Sequence, residues 1–213
     1  MKIEKVTKKD GNTVIVQLDD GQKMFLSYEV FLKNGLRKND EISDGRFSSL
    51  ITENQLYHIK QRALRYLGRR HHSVSELRIK LRQKSYDAGL INSVIEELKE
   101  KKFLDDKNFA VLFTEENLSV KKWGKNKLRS ELLKRGITRE IIDEVLAAHL
   151  GSDEQTENAE DLARKKYKSL ASRKYDKDKL RVKLLTFLSS RGYDYDVSKI
   201  AVDKIIGEEK ADY

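Results

Sequence analysis

The stretch Lys127-Leu128-Arg129-Ser130-Glu131-Leu132-Leu133-Lys134-Arg135-Gly136-Ile137 decides how this chain folds, because altered copies of it stand on either side. Upstream, Glu76-Leu77 runs through Leu81 to Lys84-Ser85-Tyr86. Downstream, Lys183-Leu184 runs through Leu188 to Arg191-Gly192-Tyr193. Leu77, Leu128 and Leu184 correspond, as do Leu81, Leu132 and Leu188, at separations of 51 and 56 residues. Leucines four apart share one face of a helix. Any two amphipathic helices can be slid until their leucines coincide, but the turn resists that explanation. A basic residue, then Ser or Gly, then Tyr or Ile follows each helix, and the register continues without a gap into the next one. There Leu90, Ile141 and Val197 coincide, as do Val94, Val145 and Ala201, and Ile95, Leu146 and Val202.

An apolar helix precedes each copy, over 57–67, 109–118 and 159–170. Self-similarity at a period of about 50 residues marks a repeat architecture. Each unit buries too little by itself, so neighbours must stack. The expectation is a mainly α chain: three tandem three-helix, helix-turn-helix-like repeats in an elongated curved array, preceded by a small β-rich N-terminal segment. The expected divisions are 1–52 for that segment, 53–104 and 105–151 for the first two repeats, and 152–213 for the third with a tail.

The N-terminal segment has a different pattern. Thr13-Val14-Ile15-Val16-Gln17-Leu18 and Lys23-Met24-Phe25-Leu26 flank Asp19-Asp20-Gly21-Gln22, a hairpin signal, and Asp10-Gly11 supplies an earlier turn. Ser27 is placed to cap a short helix that Gly35 ends in the left-handed conformation. Thr52 with Gln55 fits a capping box for the first long helix, whose Leu56, Ile59, Ala63, Tyr66 and Leu67 share a face.

No constellation for catalysis assembles, and no catalytic residue, metal ligand or cofactor is assigned. Cys is absent among the 213 residues, which removes disulfides, thiolate nucleophiles and thiolate metal sites. His71-His72 reads as a solvated helix end, since metal sites want further ligands nearby. Asp105-Asp106 is the best carboxylate pair and could hold Mg²⁺ for a nuclease, but an Asp here suits the N-cap of the helix carrying Phe109, Ala110 and Phe113 better. Ser73-Val74-Ser75-Glu76 likewise reads as a capping box. The first ten residues lack the apolar run of a secretory signal, and no later run is long enough to span a membrane, so a cytoplasmic protein without membrane contact is expected.

Charge points to the partner. The net charge is +9, yet residues 1–54 balance nine bases with nine acids, and residues 55–103 alone contribute +7. Between Lys60 and Lys84 nine bases meet the single acid Glu76. Arg62, Arg65 and Arg69 are spaced as a stripe on one helix, and Arg78 and Arg82 as another; with Arg70 they suit a phosphate backbone. A second cluster surrounds the only tryptophan: Lys121, Lys122, Trp123, Lys125 and Lys127. Trp123 either stacks on a base of a single strand or packs between repeats, and the sequence leaves both open. A third group, Arg164, Lys165, Lys166, Lys168, Arg173 and Lys174, is partly balanced by acids.

These residues carry a resemblance to the RecX family, bacterial regulators of the RecA recombinase. Its most telling pieces are Phe103-Leu104-Asp105-Asp106 followed by Phe109-Ala110, and Trp123-Gly124 followed by Leu128, Glu131-Leu132 and Arg135-Gly136-Ile137. Arg70, Ser73, Ser75, Glu76-Leu77 and Lys80-Leu81 are similar to the family's first unit. The third unit departs, with Tyr175-Asp176-Lys177-Asp178 standing where Ser73 and Gly124 stand in the others. The resemblance implies a non-enzymatic protein that binds RecA filaments on single-stranded DNA and restrains ATP hydrolysis and strand exchange in recombination and the SOS response; a monomer is expected. The competing reading is a basic helical protein that binds DNA or RNA by itself. A Mg²⁺-dependent nuclease built on Asp105 and Asp106 is the weakest of the three.

Overall fold

Alternation of apolar and polar residues sets the first element group. In the computed structural model, which describes residues 1–171 and 175–208, β1 (Ile3–Lys8), β2 (Thr13–Leu18) and β3 (Lys23–Ser27) form an antiparallel sheet in chain order. Val14, Val16 and Leu18 of β2 point to one face, opposite Leu26, Met24 and, on β1, Ile3. Gly21 turns the hairpin at φ +83°. Ser27 caps α1 (Tyr28–Lys33), accepting from the Val30 N–H at 3.2 Å, and Gly35 follows it at φ +59°.

The buried face of the sheet needs a cover, and α2 (Asp44–Leu67) supplies it with Leu50, flanked by Phe47 and Ile51. This overturns the capping box expected at Thr52. The helix begins nine residues earlier, capped by Ser43, whose hydroxyl accepts from the Arg46 N–H at 3.2 Å. Thr52 lies within the helix and its hydroxyl donates back to the Ser48 carbonyl at 3.0 Å. Two turns were hidden in the sequence because Phe47, Leu50 and Ile51 belong to the sheet's core rather than to a repeat. Further along, Ile59 and Ala63 of the same helix are fully buried in the first repeat.

Asn54, buried mid-helix, explains where the outer edge of β3 is satisfied. Its side-chain oxygen accepts from the Ser27 N–H at 2.8 Å and its amide donates to the Phe25 carbonyl at 2.9 Å. One side chain thus stands in for a fourth strand over one residue pair.

The repeats are α2 with α3 (Val74–Arg82) and α4 (Ala88–Glu100); α5 (Asp106–Lys121) with α6 (Lys125–Lys134) and α7 (Arg139–His149); and α8 (Ser152–Ala171) with α9 (Lys177–Arg191) and α10 (Tyr195–Glu208). All six aligned leucines, Leu77, Leu81, Leu128, Leu132, Leu184 and Leu188, have no solvent-exposed surface. Full burial of such side chains contributes about 1.5–3 kcal/mol each. Ser85, Gly136 and Gly192 all adopt the left-handed conformation, at φ +57°, +76° and +93°. After the second and third turns, the N–H groups of Ile137 and Tyr193 reach back to the carbonyls of Leu132 and Leu188 at 3.2 Å, which closes the helix ends.

By contacts the chain divides into two compact units. The first comprises Met1–His72 and Leu77–Leu104; the second comprises Ser73–Glu76 and Asp105–Tyr213. Within the second unit, the start of one central helix seats on the turn of the next. The Ser73 hydroxyl caps α3, accepting from the Glu76 N–H at 3.1 Å, and donates to the Arg135 carbonyl at 2.6 Å. The Gly124 and Asn126 N–H groups donate to the carbonyls of Arg191 and Gly192, each at 2.9 Å. The approach leaves no room for side chains: a Cβ on Gly192 would lie 2.3 Å from that of Lys127, and one on Gly124 would lie 2.5 Å from the Gly192 carbonyl.

The departure in the third unit now has a cause. Asp176 caps α9, accepting from the Lys179 N–H at 2.8 Å, and α9 runs to 15 residues against 9 for α3 and 10 for α6. Ser73 and Gly124 stop their helices where a turn must be met; exposed Asp176 caps with its own carboxylate one turn further from the buried leucines.

Candidate nucleic-acid interface

Helix ends and turns position most of the basic residues. In the first unit, Arg62 Nε donates to the Tyr86 hydroxyl at 3.2 Å, which ties α2 to the residue after the Ser85 turn. Arg65 is exposed, and its Nε reaches only its own helix, at the Gln61 carbonyl, 3.4 Å away. Arg69 does not complete the expected helical stripe. The helix ends at Leu67 with Gly68 as its cap, and Arg69 lies in the following turn, its N–H on the Tyr66 carbonyl at 3.1 Å. Arg70 Nη1 donates to the His71 carbonyl at 2.7 Å. Arg78 and Arg82 both lie on α3 as the spacing predicts, Arg82 exposed.

Among the described residues, no carboxylate pairs with Arg65, Arg69, Arg78, Arg82 or Lys84. Lys60 is different: with Lys101 it grips Glu97, at 2.6 and 2.5 Å, and these two ammoniums, Lys101 foremost, hold the Glu97 carboxyl below the usual carboxylate range. The Lys80 ammonium lies 5.4 Å from the centre of the Tyr66 ring. His71 is exposed, but His72 is not the solvated residue expected. It is buried, edge-on to Tyr66 with ring centres 6.3 Å apart.

The tryptophan cluster belongs to the second unit. Trp123 is half-buried, packs against the core of the second repeat, and lies 6.1 Å from Phe113 between ring centres. Lys121 and Lys127 lie over its ring at 4.5 and 5.8 Å. Lys122 has φ +49°, ends α5, and pairs with Asp161. Its carbonyl accepts from the Tyr193 hydroxyl at 2.8 Å, and burial pushes that hydroxyl above the ordinary phenol range. Lys125 is exposed in the first turn of α6, and Lys127 approaches Glu131 at 3.7 Å. Lys121 and Lys125 therefore present charge outward, while Lys122 is committed to holding the third repeat's α8.

The carboxylate pair is used by the backbone. Asp105 caps α5, accepting from the N–H groups of Lys107 and Asn108 at 2.8 and 3.1 Å, and Asp106 accepts from the Val74 N–H at 2.8 Å. Among the described residues, no group of three or more His, Cys, Asp or Glu side chains is placed to hold a metal ion, and no helix is long and apolar enough to cross a membrane.

In the third repeat, Arg164 pairs with Glu208 at 2.7 Å, and Lys165 and Lys168 are exposed. Arg173 and Lys174 lie outside the described residues. Sequence reasoning missed a set beside them. Lys179 and Lys183 lie 5.5 and 4.8 Å from the Tyr175 ring centre, and Lys166 and Arg191 lie 5.5 and 5.2 Å from that of Phe187. The four-residue spacing of Lys179, Lys183, Phe187 and Arg191 was the available signal.

The three helical repeats match three family models in series: RecX, first three-helix domain, over residues 60–98; the second three-helix domain over 105–146; and the third over 153–202. The chain is 32% identical over 207 residues to Regulatory protein RecX of Clostridium botulinum (strain Eklund 17B / Type B), covering 97% of this chain and 96% of that protein. It is 31% identical to Regulatory protein RecX of Clostridium beijerinckii over 212 residues, covering 100% and 98%. A crystal structure of regulatory protein RecX superposes with a TM-score of 0.76 at 22% identity, over 95% of this chain and 98% of that one. RecX from Lactobacillus salivarius superposes with a TM-score of 0.65 at 21% identity, over 72% and 97%. The solved structures match the fold, sheet and repeats included in the first case. With three consecutive family domains and near-full-length relatives at this identity, the chain belongs to the RecX family of regulatory proteins.

Proposed function

We propose that this protein binds RecA filaments assembled on single-stranded DNA and restrains their ATP hydrolysis and strand exchange, without chemistry of its own. One observation carries the reading beyond family membership. On α2, α3 and the turns that follow them, five bases (Arg65, Arg69, Arg78, Arg82 and Lys84) have no carboxylate partner among the described residues. Elsewhere bases such as Lys107, Arg129, Arg164, Arg181 and Lys204 are ion-paired. Unpaired bases at this density repel one another and are stabilised by an anionic partner, for which a phosphate backbone is suited. The cation-flanked Trp123, with Lys121 and Lys125 outward, supplies a second place for such contact. The protein acts as a cytoplasmic monomer in this reading.

The test is a titration of the DNA-dependent ATPase of RecA. The expected result is a fall in hydrolysis with this chain present below one copy per RecA protomer. An unchanged rate across a range of salt, with tight RecA-independent binding to a preferred sequence, would instead support autonomous nucleic-acid binding.

A further inference from the structure

We propose that the stripe formed by Tyr175, Lys179, Lys183, Phe187 and Arg191, joined by Lys166 of α8, is a separate binding site for a single nucleic-acid strand. It lies wholly in the third repeat and needs no RecA, so it stands independently of the regulatory reading above.

Three features carry this. First, Lys179, Lys183, Phe187 and Arg191 recur every fourth residue along α9, which places successive side chains about 6 Å apart on one side of the helix. Tyr175 stands just before the helix begins. Second, the four bases are uncompensated: among the described residues none pairs with a carboxylate. Several carboxylates of this repeat are committed elsewhere. Asp203 holds Arg181 at 2.5 Å, Glu160 holds Lys204 at 2.5 Å, Glu208 holds Arg164, and Asp194 accepts from the Val197 N–H at 3.0 Å. Third, each ring carries two cations, Lys179 and Lys183 on Tyr175, Lys166 and Arg191 on Phe187.

Magnitudes decide why a single strand fits. A cation over an exposed ring contributes about 0.5–1 kcal/mol, whereas a base stacked on an aromatic side chain contributes about 1–3 kcal/mol. When a strand arrives, an ammonium leaves the ring for a phosphate and a base takes the ring. Both exchanges are favourable, and the half-buried rings are already held in place by the repeat's core, against which Tyr175 and Phe187 pack. A duplex offers the phosphates but keeps its bases stacked on each other, so it gains only the first exchange.

The experiment uses the full chain without RecA. Binding of fluorescent oligo-dT, oligo-U and a DNA duplex of equal length is measured by anisotropy over a series of salt concentrations. The variant Lys179→Gln/Lys183→Gln is expected to reduce the slope of log affinity against log salt on a single strand by about 1.4, or about 0.7 for each phosphate contact removed. Phe187→Leu, which keeps apolar bulk against the core, is expected to weaken single-strand binding roughly tenfold at unchanged slope and to leave duplex binding nearly as it was. Comparison of dT with U identifies whether DNA or RNA is the better strand. If the double variant melts early, Lys179→Gln at its exposed position decides, with a slope reduction of about 0.7. Unchanged slope and affinity in folded variants overturn the proposal, as do equal losses of Phe187→Leu on strand and duplex. Unchanged oligonucleotide binding together with a loss in a parallel assay of binding to RecA also overturns it, because that would make the stripe a protein-docking face.

Discussion

Gly136 lies so close to Ser75 that a Cβ on the glycine would sit 2.4 Å from the serine's own. The position therefore excludes side chains twice, by its φ of +76° and by the Ser75 Cβ and Oγ. Gly136→Ala is expected to destabilise the second unit by about 2–4 kcal/mol, and Gly192→Ala by a similar amount, because the obstacles are Cβ and backbone atoms that cannot swing away. Ser85 occupies the same left-handed turn but is exposed, so Ser85→Gly is expected to raise stability by roughly 0.5–1 kcal/mol. Urea denaturation of the three variants checks the contrast. A Gly136→Ala protein as stable as the parent would refute the packing argument.

Asn54→Ala removes both hydrogen bonds to β3 and leaves the Ser27 N–H and the Phe25 carbonyl without their partner. A loss of about 2–3 kcal/mol is expected, with faster hydrogen exchange at the Ser27 amide. Exchange at Ser27 as slow as in the parent would show that the amide is protected some other way.

Glu131 is a carboxylate whose ionisation is tied to folding. Arg135 first, at 2.8 Å, and Lys134, at 2.9 Å, hold its carboxyl down to about 2 from 4.5. A depressed folded-state value means that the unfolded chain takes up the proton first as pH falls. The contribution is complete above about pH 4.5 and disappears as pH drops towards 2. After allowance for screening by water it amounts to about 1 kcal/mol. Glu131→Gln should therefore lower the melting temperature at pH 6 and leave a shallower decline between pH 5 and pH 3. Parallel pH profiles for parent and variant would count against it.

Charge reversal at Arg65, Arg69 and Arg82 tests the first-repeat surface. None of the three has a carboxylate partner among the described residues, so the melting temperature should stay within a few degrees of the parent's. Affinity for single-stranded DNA or for the filament should fall at least tenfold at physiological salt, since three phosphate contacts are replaced by repulsion. Retained affinity would mean that the wrong face was chosen.

The features legible in the sequence are those set by neighbours along the chain. Six leucines at four-residue spacing and the Ser85, Gly136 and Gly192 turns give the three helical units. Asp19-Asp20-Gly21-Gln22, Ser27 and Gly35 give the hairpin and the short helix. The features that were not legible depend on residues far apart. The close approach of Ser73 to the Gly136 turn joins positions 62 residues apart, so Gly136 could be read for handedness but not for crowding. Ser43 starts a helix because a sheet needs covering, and Asn54 is buried because β3 has an edge. Arg69 leaves its stripe because Gly68 ends the helix two residues too soon. The bases Lys179, Lys183 and Arg191 stood in plain view, but their relation to Tyr175 and Phe187 becomes visible only once the helix start at Lys177 and the packing of Lys166 are known.

The 24 residues of α2 run unbroken from the sheet's core at Leu50 into the first repeat's core at Ile59 and Ala63. A helix that is structural material for both cannot act as a tether. The sheet is cantilevered from the repeat: it has no swivel, and a partner bound to either feels the other at a fixed bearing. Cutting the chain at position 52 would then do more than remove an appendage. It would strip the shaft of its cap and its first turns, and the first repeat would fray from the end at which it is now clamped.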